Sequence, residues 1–253
     1  MAKYTMITGA SSGIGYETAQ KFAERGNNLI IVARNEEKLK ALKESIATKN
    51  PELDVIIKTA DLADSQNVYK LYEDVKNYDL QTLVNNAGFG DFGNVKDVDL
   101  DKIQKMIHLN VEALTILTTL FVKDYEDVED TQVINVSSVG GYEIYTAALT
   151  YSATKYYVAA YTEGLDVQLR DKGAKMRAKV IAPSSTQTSF MDRSLDTSGT
   201  DYNEVFDRYN TSEELAGYIL DLYDSNDHIG IVDDDTLELK VYDHFYPVNN
   251  FSG

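Results

Sequence analysis

Two hydrophobic periods alternate along the chain. Short, mostly apolar runs such as TMIT, NLIIVA, QVINVSS and AKVIA are separated by longer segments in which apolar positions recur every three to four residues. The short runs lack the in-and-out alternation of a half-exposed strand, so they read as strands covered on both faces, and the longer segments read as amphipathic helices. The pattern predicts strands over 3–8, 28–33, 54–59, 80–84, 131–136, 176–182 and 229–232. It predicts helices over 13–25, 36–48, 64–77, 101–123, 150–170 and 211–224. Strands and helices taken in turn make βαβ units, hence an α/β, doubly wound sheet of seven parallel strands with helices on both faces. A chain of 253 residues is expected to form one such domain. The long stretch 184–210, SSTQTSFMDRSLDTSGTDYNEVFDRYN, follows neither period, and an irregular segment of that length is expected to be a lid or binding loop.

Charge narrows the partners. With 41 acidic against 24 basic residues the net charge is −17, which repels nucleic-acid backbones and anionic lipid, so neither nucleic acid nor membrane is an expected partner. An anionic ligand would need a local exception to that field. The chain has no cysteine, and its three histidines, His108, His228 and His244, fall without metal-ligand spacing, so no metal site is expected. The N-terminus carries no long apolar segment, and a soluble, cytoplasmic protein is the expectation.

The exception appears at the end of the first strand, in Thr8-Gly9-Ala10-Ser11-Ser12-Gly13-Ile14-Gly15, where a glycine-rich turn leads into a helix. Glycine permits a tight turn and lets backbone N–H groups approach a pyrophosphate, while the helix N-terminus adds partial positive charge. A dinucleotide site also needs a reader for the adenosine ribose at the end of the second strand. There the chain has Ala33-Arg34, with no carboxylate for a free 2′-hydroxyl but a guanidinium suited to a 2′-phosphate. NADP(H) is therefore favoured over NAD(H).

A second signal is Tyr151-Ser152-Ala153-Thr154-Lys155, which sets a phenol and an ammonium four residues apart on one helix face. With 18 tyrosines in the chain the spacing alone is weak, and it recurs at Tyr72 and Lys76 in the charged segment YEDVK, where a solvated helix face is expected. What separates the two is company. Ser138 closes the strand VINVSS, 13 residues before Tyr151, at the carboxyl edge where open α/β sheets bind ligands.

Together these residues resemble a known family. TGASSGIG, Asp61-Leu62, Asn85-Asn86-Ala87-Gly88, Asn110, Ser138, YSATK and Pro183 follow in the order and spacing of the single-domain short-chain dehydrogenases/reductases, over about residues 3 to 190. The resemblance implies a Rossmann-type fold and, as partners, a nicotinamide cofactor, a small carbonyl or alcohol substrate, and further copies of the chain in a homo-oligomer, dimer or tetramer. By resemblance, Gly9, Ser11, Ser12, Gly13, Ile14 and Gly15 line the pyrophosphate and adenosine ribose, Asp61 and Leu62 the adenine, and Asn86, Ala87 and Gly88 the cofactor below the fourth strand. It assigns Asn110, Ser138, Tyr151 and Lys155 to a catalytic tetrad, with Asn110 holding a water, and places Pro183 and Thr188 near the nicotinamide. One departure is Ser184, where the family usually has glycine after that proline.

The implied activity is hydride transfer between NADP(H) and a small or medium carbonyl or secondary alcohol, with Tyr151 as proton donor and acceptor. At roughly 5 Å and an effective dielectric of about 20, a Lys155 ammonium is expected to lower the phenol's pKa by roughly 2 units. Ser138 supplies a fixed donor to the substrate oxygen. Phe89, Val139, Tyr142, Tyr145, Phe190 and Met191 flank the tetrad as a candidate substrate wall. The alternatives are a non-catalytic cofactor-sensing protein, marked by an intact glycine turn with a damaged tetrad, and an isomerase or dehydratase that uses its cofactor transiently. All four tetrad positions are present, and the chain has no room for the substrate domain of the latter group.

Overall fold

In the computed structural model, which describes residues 2–249, the apolar runs do form buried strands. The first half contains β1 (Lys3–Thr8), α1 (Gly13–Glu24), β2 (Asn28–Ala33), α2 (Glu36–Lys49), β3 (Val55–Thr59), α3 (Ser65–Val75) and β4 (Asp79–Asn85). There follow α4 (Leu100–Ile107), α5 (Leu114–Tyr125), β5 (Gln132–Val136), α6 (Leu149–Lys172) and β6 (Arg177–Ala182). The remainder holds β7 (Thr186–Gln187), α7 (Phe190–Leu195), α8 (Tyr202–Val205), β8 (Asn210–Thr211), α9 (Ser212–Asp224), β9 (Ile229–Val232) and β10 (Leu239–Tyr242).

The main sheet has the order β10-β9-β6-β5-β4-β1-β2-β3. Seven strands pair in parallel as the periodicity predicts, and an eighth, β10, adds to the edge antiparallel to β9. Its sequence, LKVY, is largely exposed, so no buried apolar run announces it. Alternate residues of each strand feed opposite layers, as the pleat requires. Met6, Ile30, Val32, Leu83 and Val133 face a core closed by α3, α5 and α6. Ile7, Leu29, Ile31, Val84 and Ile134 face the other, closed by α1, α2 and α9.

Strand order reverses between β1 and β4, and at such a switch point the carboxyl ends of the strands leave a crevice. The helix predicted over 101–123 runs through 100–125, interrupted by a π turn at His108–Ala113. It is long and apolar enough to cross a membrane, yet here Ala113, Leu117 and Phe121 are buried against the sheet. The segment 184–210 is not irregular throughout: it folds into α7, α8 and the short parallel pair β7 and β8. Its helices are only six and four residues long, too short to establish a hydrophobic period.

Tyr72 corrects the sequence reading. It is buried, not solvated: its hydroxyl donates to the Leu120 carbonyl (3.0 Å) and to Asp124 (2.9 Å), while Lys76 stays exposed and pairs with Glu73. The charged residues around it occupy the outer face of α3, and Val68, Leu71, Tyr72 and Val75 share the inner one.

Candidate active site

The crevice is a cleft of about 1150 Å³, above the usual few hundred for one small ligand. Of the catalytic and cofactor-binding residues expected from sequence, all but Gly15 and Asn110 line it. Those two lie immediately behind its wall and shape it.

At one end stands the glycine turn. Gly9 has φ +71°, and a Cβ there would lie 2.8 Å from Asn86 Nδ2 and 2.9 Å from Ala87 Cα. A Cβ on Gly15 would strike Asn86 Nδ2 and the Gly9 carbonyl oxygen, the latter at 2.5 Å. Asn86 holds the turn in place by donating from Nδ2 to the Thr8 carbonyl at 3.0 Å. The Thr8 hydroxyl in turn accepts from the N–H groups of Asn86 and Ala87, both at 3.0 Å. The turn of β1 is thus laced to the end of β4, a role for Thr8 and Asn86 that sequence reasoning did not assign. Such a close-packed turn, with glycine where its backbone is approached most closely and a helix N-terminus behind it, suits the pyrophosphate of a dinucleotide.

Arg34 and Lys38 line the cleft beside this turn, and across the mouth Asp61 accepts from the Ala63 N–H (3.1 Å) beside buried Leu62. Thr188 sets its methyl group against Gly13, so a Cβ on Gly13 would approach it to 2.9 Å. The residues present therefore fit a nicotinamide dinucleotide.

At the other end α6 presents Tyr151 and Lys155, both buried. Lys155 Nζ donates to the Val136 carbonyl (2.9 Å) and lies 5.7 Å from the centre of the Tyr151 ring. Ser138, at the end of β5, accepts from the Gly140 N–H (3.1 Å). Two contacts fix α6 against this strand end: Ser137 donates to the Lys155 carbonyl (2.8 Å), and Gly141 leaves room for it, since a Cβ there would fall 2.6 Å from that same oxygen. Neither position carried a sequence signal.

The charge states differ from the sequence expectation. Burial pushes the Tyr151 phenol up to about 12, against a smaller downward pull from the Ser138 hydroxyl, and burial brings the Lys155 ammonium down to about 8. Burial dominates in this arrangement, because removing both groups from water penalises the phenolate and the ammonium alike. A stability consequence follows from the sign of the lysine shift. Between about pH 8 and the unperturbed 10.5 the unfolded chain holds a proton on residue 155 that the folded chain has lost, so stability gains with pH across that window. Lys155→Met, which has no charge to bury, is expected to be stabilised relative to wild type near pH 7. That advantage should shrink by pH 10 in urea unfolding; an advantage independent of pH would show that burial does not depress the lysine.

Asn110 lies in the π turn, a form of helix often found at functional sites. Its amide pairs with residue 89 as a strand would: Oδ1 accepts from Phe89 N–H (3.2 Å) and Nδ2 donates to Phe89 O (2.9 Å). Its second amide hydrogen goes to Thr154 Oγ1 (3.1 Å), next to Lys155. Both amide hydrogens are engaged, so the side chain braces the wall instead of offering a donor to water.

Phe89, Phe92 and Phe190 pack around Tyr151, and Val139, Tyr145 and Met191 also line the cleft. Tyr142 does not. It points behind the site, donating to Glu163 (2.9 Å) and stacking on Tyr246. Ser184 has a partner that explains its side chain: its hydroxyl donates to Asp234, whose other oxygen accepts from Tyr145 (3.3 Å). The cleft wall also contains Lys102, Arg193, Arg208 and Asp234, none of them singled out by sequence.

The short chain dehydrogenase model matches residues 3–198 of this chain. The chain belongs to that family. This short-chain dehydrogenase is 32% identical to sulfoacetaldehyde reductase 2 of Chromohalobacter salexigens over 75% of each chain. A short-chain dehydrogenase from Sphingobium yanoikuyae in complex with NADPH superposes with a TM-score of 0.80 at 28% identity, over 91% of this chain and 87% of that one. A bulky-bulky ketone specific alcohol dehydrogenase from Comamonas testosteroni gives 0.79 at 25% identity, over 91% and 86%. The fold is accordingly the Rossmann type, and the protein is an NAD(P)-dependent oxidoreductase of the short-chain dehydrogenase/reductase family.

Proposed function

We propose that this enzyme reduces a small or medium carbonyl compound with NADPH, with Tyr151 as proton donor. The observation that carries the reading is the meeting of Ser138, Tyr151 and Lys155 at one end of a cleft whose other end is the glycine turn beside Arg34. The cofactor supplies hydride, and the protein must supply the proton. A phenol held near 12 is fully protonated at neutral pH, which is the form a donor needs. It is still more acidic than an alkoxide's conjugate acid, comparable to water at about 15.7, so protonating the nascent alkoxide runs downhill. The same shift disfavours the phenolate that oxidation would require, so the oxidation rate is expected to rise with pH.

Ser138 donates to the carbonyl oxygen as its charge grows. Lys155 is the cation that stabilises the phenolate left beside it once Tyr151 has given up its proton. The aromatic wall of Phe89, Phe92 and Phe190 supports a neutral, largely apolar substrate. The broader carbonyl class has support from two similar proteins, one specific for bulky ketones and one named for a small, anionic aldehyde. Asn110 we read as a positioning residue for Phe89 and the start of α6. The outer faces of α5 and α6, with Tyr157 and Tyr161 stacked and bonded to Thr115 and Thr119, are the proposed contact of a homo-oligomer.

Purified protein offered a panel of ketones and aldehydes should oxidise NADPH in a one-to-one ratio with alcohol formed. Binding of NADPH without turnover across the panel would favour the cofactor-sensing alternative, against which the intact tetrad counts. For the cofactor, Arg34→Ala should weaken NADPH by roughly tenfold or more and leave NADH nearly unchanged, the loss of one charge-assisted contact to a phosphate. An equal change in both dissociation constants would remove Arg34 as the reader of the 2′-phosphate.

A further inference from the structure

Arg193 sits on α7, within the 184–210 segment, and lines the same cleft as Arg34, whose charge reaches it. Two guanidinium groups brought together in a chain of net charge −17 call for an anion. The surface arginines Arg25 and Arg170 each have one, pairing with Asp224 at 2.5 Å and Asp166 at 2.9 Å. Arg193 instead donates only to the Ser189 carbonyl (3.2 Å) among the described residues, and Arg34 has no carboxylate partner there either. Surrounding protein and the Arg34 charge hold Arg193 below the ordinary guanidinium range, although water still reaches it.

The position of α7 is fixed by the phosphate-binding turn itself. Ser189, one helical turn before Arg193, approaches Ser12 (Oγ to Oγ 3.5 Å), and Thr188 packs on Gly13. The far end of α7 is latched by Lys102, which donates to the Ser194 carbonyl (3.0 Å) and pairs with Asp196 (2.8 Å) and Asp91 (2.9 Å). The helix is therefore held at both ends, by the glycine turn and by Lys102, and carries Arg193 on the wall of the cleft that Arg34 also lines.

We propose that Arg193 and Arg34 together clamp the 2′-phosphate of the adenosine ribose, so that the loop over the cleft is itself a reader of NADP(H). This inference rests on the NADP reading above and adds a second cation from a distant segment. Arg34 is contributed by the end of the sheet and Arg193 by the loop, so a 2′-phosphate held by both ties the loop to the sheet. A cofactor without the phosphate leaves that tie unmade and the two charges unscreened.

The test uses equilibrium binding and proteolysis of the full chain, independent of turnover. Arg193→Gln is expected to weaken NADPH and adenosine 2′,5′-bisphosphate by about tenfold or more, with NADH and adenosine 5′-monophosphate nearly unchanged. Arg193→Lys, which keeps the charge and loses the fork, should fall between. Adenosine 2′,5′-bisphosphate should slow proteolytic cutting within 184–210 in wild type and not in Arg193→Gln, while circular dichroism shows both folded. Equal weakening of NADPH and NADH would overturn the proposal in favour of a pyrophosphate contact, and unchanged binding of both would overturn it outright. If Arg34→Ala discriminates the two cofactors and Arg193→Gln does not, the clamp fails alone. If neither variant discriminates, the NADP reading fails with it.

Discussion

Tyr151→Phe is expected to lower turnover by about 10²- to 10⁴-fold, the usual worth of a positioned general acid, while dinucleotide affinity stays within about twofold of wild type. The expectation rests on how little else the oxygen does. The ring packs with Ile103, Met106 and Ala148 and lies 5.3 Å from the Phe190 ring, and phenylalanine keeps those contacts. No backbone group depends on the hydroxyl, and α6 is held at this point by Ser137, Thr154 and Asn110 instead. Stopped-flow single-turnover rates with NADPH and a reactive aldehyde, beside a binding isotherm, would separate chemistry from affinity. A variant that turns over as fast as wild type would move the proton source elsewhere, with Tyr145 the nearest phenol to examine because it lines the same cleft.

Gly9→Ala should be the more damaging structural change. A side chain at φ +71° costs about 1–3 kcal/mol, and the added Cβ meets Asn86 Nδ2 at 2.8 Å and Ala87 Cα at 2.9 Å, so β1 and β4 must separate where they are laced together. We expect a fall in Tm of roughly 5–15 °C and dinucleotide binding weakened by more than about tenfold. Gly26 provides the comparison. It has φ +84° but nothing within 4 Å of an added Cβ, so Gly26→Ala should show the conformational cost of about 1–2 kcal/mol alone and leave binding intact. Thermal unfolding of both variants, with and without NADPH, decides the point: equal losses would mean that the turn at Gly9 is not close-packed.

The charge states bear on the role of Tyr151. With the phenol pushed up to about 12 and the lysine down to about 8, the phenol keeps its proton at neutral pH, the form a proton donor needs. The fixed-lysine picture drawn from spacing alone would have poised it closer to a base. Burial overturns that picture because the pair was placed in an apolar pocket, and a four-residue spacing contains no information about what surrounds it.

The amino-acid sequence by itself determined the strands, the main helices, the glycine turn and the order of the tetrad positions. Those features are written locally, in hydrophobic periods and in motifs a few residues long, and a parallel sheet leaves few ways to connect them. Only the tertiary structure decided that Tyr72 is buried, that Asn110 braces Phe89, that Tyr142 turns away from the cleft, and that Ser184 reaches Asp234, 50 positions further on. It also placed Arg193 on the wall of the same cleft as Arg34. Each of these is a contact between segments far apart in the chain, and desolvation, like-charge approach and hydrogen-bond pairing are set by the neighbours that folding supplies, which no local pattern encodes.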